Sequence, residues 1–159
     1  MAKTTPATLA LKRAGVAFEL IAYDYAPGDE RVGMQAAHAV GEDPARVLKT
    51  LMMDLDGKPV CVVIPSDREA SLKKVAALFG GKHAAMMTPA AAERLSGYHV
   101  GGISPLGQKR RVPTAVEESA LAQPYVLVNG GQRGLQARLA PADLVAALGA
   151  KTADLLGGS

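Results

Sequence analysis

The sequence is poor in the residue types that most often announce a chemistry. It has one cysteine, Cys61, no tryptophan, and aromatic residues at only 4% of its 159 positions. A lone thiol forms no internal disulfide and supplies no cysteine cluster for zinc. His38, His83 and His99 show none of the short pair spacings that set two ligands on one face, so no metal is expected. Scarce aromatics leave few platforms on which bases could stack, which argues against base-by-base reading of a nucleic acid and against DNA as a partner. No apolar run approaches the roughly 18 residues of a membrane span. The start, "MAKTTPATLALKRAG", lacks a basic head followed by a long apolar stretch, so no membrane partner is expected and a cytoplasmic location is the default. The spacings of a dinucleotide fold, a P-loop and a Gly-x-Ser-x-Gly elbow are absent as well.

What remains describes an ordinary globular chain, 48% apolar and 21% charged, of a size that suits one domain over 1–159. Its net charge of +3 permits an anionic partner without demanding one. Thr5 and Pro6 open a helix that stops at Gly15, and 16–25 alternates as a strand. A helix is predicted over 31–40, and Asp43-Pro44 starts another short one leading into Lys49. Asp56-Gly57 joins two apolar runs as a tight hairpin. Downstream come a helix from Ser71 to a glycine stop, the short strand "AAMM", a Thr-Pro capped helix at 88–97, a strand "YVLVNGG", a returning strand "LQARLA" and a last helix "PADLVAALGA". Helices and strands interleave, yet several strands join as hairpins. The predicted class is therefore α+β, with a mixed, largely antiparallel sheet curled toward a barrel and flanked by helices.

Two places hold candidate chemistry. Lys49, beside Thr50, stands immediately before an apolar strand, where a charge is costly unless it meets a partner or water. It could hold a phosphate or a developing oxyanion, or be a solvated lysine at an element boundary. The run "YHVGGISPLGQKRR" builds a shaped loop around Gly101, Gly102 and Gly107 that either turns a corner or aims backbone N–H groups at an anionic oxygen. Lys109, Arg110 and Arg111 beyond it could meet nucleic-acid phosphates or form a solvated face. Cys61 lies mid-strand and reads as core. Ser104 and His99 come nearest to a nucleophile and base, but the third member is missing. Any catalysis should then rest on positioning and oxyanion stabilisation, which suits an already activated substrate such as an aminoacyl ester.

The segments "VLKTLMM", "SLKKVAALFGGK", "LSGYHVGGISPLGQKRRVPT" and "NGGQRGL" resemble the bacterial YbaK/EbsC family of Cys-tRNA(Pro) deacylases, related to the editing domain of prolyl-tRNA synthetases. The likeness runs from about Thr5 to Leu155; the glycine-loop motif is specific to this branch, whereas the Lys-Thr pair is shared more widely. It implies a trans-editing hydrolase without cofactor that removes cysteine from mischarged tRNA(Pro), prolyl-tRNA synthetase being a possible partner. It places Lys49, Gly101 and Gly102 at the reacting ester, and Tyr23, Thr50, Ile103, Ser104, Pro105, Asn129 and Gln136 in the substrate pocket, with Lys109, Arg110 and Arg111 toward the tRNA. In the mechanism the resemblance implies, the substrate's own thiol attacks its ester, so no protein base is needed. One departure stands out: where many relatives have serine and aspartate, in a segment like "VSGGKRGLD", this chain has Asn129 and Gln136. That leaves open editing of alanyl- or seryl-tRNA(Pro), or a module that binds aminoacyl-tRNA or the synthetase without turnover.

Overall fold

The computed structural model describes residues 4–25 and 32–157. Helix α1 (Pro6–Ala14) opens on a reciprocal cap: Thr5 Oγ1 accepts the Thr8 N–H at 3.1 Å and Thr8 Oγ1 accepts the Thr5 N–H at 2.9 Å. It closes at Gly15, whose φ of 71° is left-handed. Strand β1 (Phe18–Ala22) is shorter than the alternating run because only these five residues pair with the later strand β7. Helix α2 spans Val32–Val40; Arg31, the first residue of the expected helix, lies outside the described residues.

The helix expected from Asp43 does not form. Asp43 Oδ1 accepts the Ala45 N–H at 2.9 Å and its carbonyl accepts the Arg46 N–H at 3.0 Å, which makes a single turn. Strand β2 (Leu48–Leu55) begins directly afterwards, so Lys49 is the second residue of a strand rather than the residue before one. β2 returns as β3 (Lys58–Pro65) through Asp56 (φ 51°) and Gly57 (φ 88°), the pair of positive φ values that a type I′ turn requires. Next come α3 (Leu72–Leu78), β4 (Ala84–Met86), α4 (Pro89–Ser96) and, after the glycine loop, β5 (Thr114–Glu117) with a 3-10 turn at Glu118–Ala122. β6 (Val126–Asn129), β7 (Leu135–Leu139), α5 (Pro141–Leu148) and β8 (Lys151–Ala153) complete the order. β8, three largely exposed residues, lacks the apolar alternation that marks a strand and was not foreseen.

Two sheets result. β1-β7-β6 is antiparallel, whereas β4-β2-β3-β5-β8 is mixed, with β3–β5 and β5–β8 parallel. They meet at a parallel bridge between Val47 and Leu127, where the Leu127 N–H donates to the Arg46 carbonyl at 2.8 Å. The α+β expectation holds, and the sheets curl toward a barrel without closing it. The main core lies between the sheets under α1 and α5, with Leu11, Val63, Val116, Val128, Ala137 and Leu144 buried. A second core packs α3 on the opposite face around Met53, Val62, Ile64 and Val75. Among the described residues no helix is long and apolar enough to cross a membrane.

Candidate active site

Along one edge β2 pairs with β3 over its whole length. Along the other, among the described residues, β4 pairs only with Met53–Leu55 and β6 is bridged only at Val47. The gap between holds a cavity of about 220 Å³, walled by Val47 to Leu51 on one side, by Val100, Gly101 and Ile103 on a second, and by Asn129 and Gln136 at its floor. In an antiparallel strand the N–H and C=O of one residue point to the same side. The carbonyls of Arg46 and Met52 face this outer edge, taken by Leu127 and Met87, so the main-chain groups of Leu48 and Thr50 between them are directed into the gap. Strand alternation sends Lys49 and Thr50 to opposite faces of the sheet, and at this uncovered edge both border the cavity.

Three buried polar atoms here make no hydrogen bond: Thr50 Oγ1, Gln136 Oε1 and Tyr23 Oη. Such groups are rare in folded proteins because each forfeits its hydration without repayment. Tyr23 lies behind the wall, packed on Val47 and Leu127, rather than in it. Burial raises its pKa above the ordinary phenol value and the neighbouring Gln136 amide partly offsets this, although the two side chains make no hydrogen bond of ordinary geometry. The phenol therefore stays protonated at neutral pH. Asn129 differs from Gln136 although the two are register partners across β6 and β7. Its Nδ2 donates to the Gly101 carbonyl at 3.0 Å, tying the glycine loop to the hairpin, and its Oδ1 accepts the Gly131 N–H at 2.8 Å within the hairpin turn, so both ends of that amide are occupied. Gln136 Oε1, by contrast, makes no hydrogen bond.

The glycine loop is less uniform than a row of donors. Gly101, at φ 93°, lines the cavity; the Gly102 N–H is spent on the His99 carbonyl at 2.8 Å and cannot serve an oxyanion. The N–H groups of Gly101 and Ile103 have no acceptor among the described residues. Ser104 is fully buried, with Oγ accepting the Leu106 N–H at 3.2 Å and its carbonyl accepting Gln108 Nε2 at 2.9 Å. Ser104 and Pro105 shape the loop and do not line the cavity. His99 is exposed beside Glu93 and makes no hydrogen bond to Ser104, which removes the nucleophile–base pairing. Cys61 is core: burial pushes its thiol up to about 12.

Buried Tyr98 anchors the loop by donating to the Leu106 carbonyl at 2.6 Å, and loss of solvation pushes its pKa up to about 12. Its folded pKa exceeds the unfolded value near 10, so between those values the folded state holds a proton that the unfolded state releases. Stability falls as pH rises through that window, by about 3 kcal/mol for this residue once the whole window is crossed. Tyr98→Phe should cost about 1 kcal/mol at pH 7 and remove that part of the alkaline loss, which denaturant melts at pH 7 and at pH 11 would show.

Lys109, Arg110 and Arg111 are exposed, but they do not flank the cavity. Arg110 and Arg111 border a cleft at the hairpin end of β2, with Leu55, Lys58 and Pro59. That is roughly 20 Å along the strand from Lys49 at about 3.3 Å per residue. The cation beside Gly101 is instead Arg133, in the "NGGQRGL" segment; an added Gly101 Cβ would lie 3.2 Å from Arg133 Nε and 2.9 Å from Tyr25 Oη. Neither Arg133 nor the wall residues Val47, Leu48, Leu51 and Val100 stood out beforehand, because only the chain's return past the loop brings them there.

The family model for the aminoacyl-tRNA editing domain matches residues 32–147. The chain belongs to that family. EbsC of Enterococcus faecalis, a candidate Cys-tRNA(Pro)/Cys-tRNA(Cys) deacylase, is 35% identical over 121 residues, 75% of this chain and 74% of its own. The proline–tRNA ligase of Geobacillus kaustophilus is 29% identical over 96 residues, which is 60% of this chain but 17% of the ligase. The crystal structure of a candidate trans-editing enzyme for prolyl-tRNA synthetase superposes with a TM-score of 0.84 at 27% identity, covering 99% of this chain and all (100%) of that one.

Proposed function

We propose that this editing-domain protein removes cysteine from mischarged Cys-tRNA(Pro) in trans, by a reaction the substrate's own thiol performs. The observation that supports this is a cavity with an unpartnered buried acceptor, Gln136 Oε1, and with no cysteine, serine, histidine or carboxylate among its described lining residues to serve as an activated nucleophile or base. Gln136 accepts a hydrogen bond from the substrate's α-ammonium, and Lys49 supplies positive charge at the strand edge. The N–H groups of Gly101 and Ile103 are the donors left for the ester oxygen. Tyr23 stays a neutral phenol behind Gln136 and acts in orientation, not as a base.

A free thiol has a pKa of about 8.5, so a few per cent is thiolate near pH 7, and a nearby ammonium increases that fraction. The sulfur attacks the ester carbonyl and forms a C–S bond. The C–O bond to ribose breaks, the ribose oxygen takes a proton from water, and the amino acid departs as a thiolactone that water then opens. Serine or alanine in the same cavity lacks this nucleophile. With aromatic residues at only 4% of the chain there are few platforms on which bases could stack, so selection of tRNA(Pro) falls to a partner, for which prolyl-tRNA synthetase is the choice.

The test is loss of labelled cysteine from Cys-tRNA(Pro), with Pro-, Ala- and Ser-tRNA(Pro) as controls. Rapid loss from the cysteinyl ester alone, with thiolactone trapped by hydroxylamine, is expected; equal rates on the seryl ester would exclude the thiol mechanism, and an intact ester throughout would exclude turnover. Gln136→Met provides a second check. It removes a buried oxygen that nothing satisfies, so the melting temperature should hold or rise, while KM for the cysteinyl ester increases about tenfold with the lost charge-assisted hydrogen bond.

A further inference from the structure

Gly101 and Gly102 form a partition one residue thick. Gly101 faces the acyl cavity, and Gly102 faces a second cavity of about 400 Å³ bounded also by Tyr98, His99, Gly131, Gln132 and Arg133. No side chain is tolerated in that wall: a Cβ on Gly102 would lie 2.8 Å from the Arg133 nitrogen and 2.9 Å from the Gln132 backbone. Arg133 lines the second cavity and reaches the partition itself, its Nε 3.2 Å from where a Gly101 Cβ would lie. Its Nε donates to the Val100 carbonyl at 2.8 Å and its guanidinium lies 5.3 Å from the centre of the Tyr25 ring. Backbone and ring thus hold the guanidinium in place, and its two terminal nitrogens have no acceptor among the described residues. The exposed imidazole of His99 adds a second donor. The acid nearby, Glu93, stands 3.7 Å from His99 Nδ1 with one oxygen accepting the Val100 N–H at 2.8 Å.

An aminoacyl ester sits on the terminal ribose of an RNA, and that nucleotide's phosphate is attached to the far side of the same sugar. With the acyl group in the first cavity and the ester beside Gly101, the sugar crosses the partition and the phosphate arrives one ribose away, on Arg133's side. We propose that the 400 Å³ cavity seats the ribose and 5′-phosphate of the terminal nucleotide, with Arg133 gripping the phosphate through its terminal nitrogens and His99 supporting it. The site rests on the aminoacyl-ester reading and gives it a nucleotide subsite. The planar fork suits a phosphate oxygen pair better than a lysine's point charge would.

The experiment uses two non-hydrolysable ligands, 3′-cysteinylamido-3′-deoxyadenosine with and without a 5′-phosphate. Calorimetric titration compares the wild type with Arg133→Ala and Arg133→Lys at one fixed salt concentration. The phosphate should tighten wild-type binding about tenfold, the ratio should fall to about one in Arg133→Ala, and Arg133→Lys should retain part of it. A merely structural Arg133 would weaken both ligands alike and leave the tenfold ratio standing, which would overturn the subsite. A phosphate that adds nothing to wild-type binding would overturn it too, with the acyl cavity intact. Failure of the wild type to bind either ligand would overturn the aminoacyl-ester reading and the subsite with it.

Discussion

Lys49→Ala should reduce single-turnover deacylation of Cys-tRNA(Pro) by about 10²- to 10³-fold at pH 7, the range seen when one preorganised electrostatic contact to a reacting centre is lost. A thermal melt run beside the assay separates lost folding from lost chemistry, since Lys49 is half-buried and outside the clusters that form the cores. The pH profile separates the lysine's role from general damage. A cation near the substrate's sulfur lowers the thiol's pKa, so its removal returns that pKa toward about 8.5. The deficit of the variant should therefore be largest near pH 6.5 and shrink above about pH 9, where the thiol ionises unaided. A deficit that stays constant across pH would assign Lys49 to ester binding instead, and full activity would move the site away from β2. Lys49→Arg should fall between, keeping the charge on a bulkier, planar head.

Gly107→Ala is the substitution expected to hurt the fold most. Gly107 stands at φ 65°, and a Cβ there would lie 2.3 Å from the Pro6 carbonyl oxygen and 2.5 Å from its carbon, both main-chain atoms of α1 that cannot rotate aside. Left-handed strain and steric overlap together should cost about 3 kcal/mol, lowering the melting temperature by about 6–12 °C. Gly57→Ala is the companion measurement. Gly57 also has positive φ, 88°, but nothing lies within 4 Å of its added Cβ. It should cost only about 1 kcal/mol, the conformational part alone. If the two variants melt alike, the glycine loop is not seated on α1 as described.

The local signals in the sequence carried well where they were chemical. Thr5-Pro6, Thr88-Pro89 and Asp56-Gly57 each name a cap or a turn that only one backbone geometry satisfies, and each is found. Asp43-Pro44 misled because the same residues begin helices and isolated turns; buried Val47 and Leu48 decide in favour of a strand. The same balance held for the site. Lys49, Thr50, Gly101, Ile103, Asn129 and Gln136 converge on one cavity, although they come from three separate parts of the chain. Ser104 shares the motif yet bonds within the loop, Pro105 lines a separate cavity, Lys109 packs on Gly97 at the end of α4, and Arg110 and Arg111 travel with the chain to the other end of β2. Adjacency in sequence implies adjacency in space only until the first turn, and this loop contains several. Arg133 shows the converse, lying 32 residues beyond Gly101 in number yet against it in the fold.

The floor of the acyl cavity comes from a facing pair, Asn129 and Gln136, at the last rung of the β6–β7 hairpin. Of the two, Asn129 fastens the loop and Gln136 only presents an oxygen. On the reading proposed above, a single codon, that of Gln136, changes what meets the substrate's amino acid, while the strap from Asn129 to the Gly101 carbonyl stays fastened.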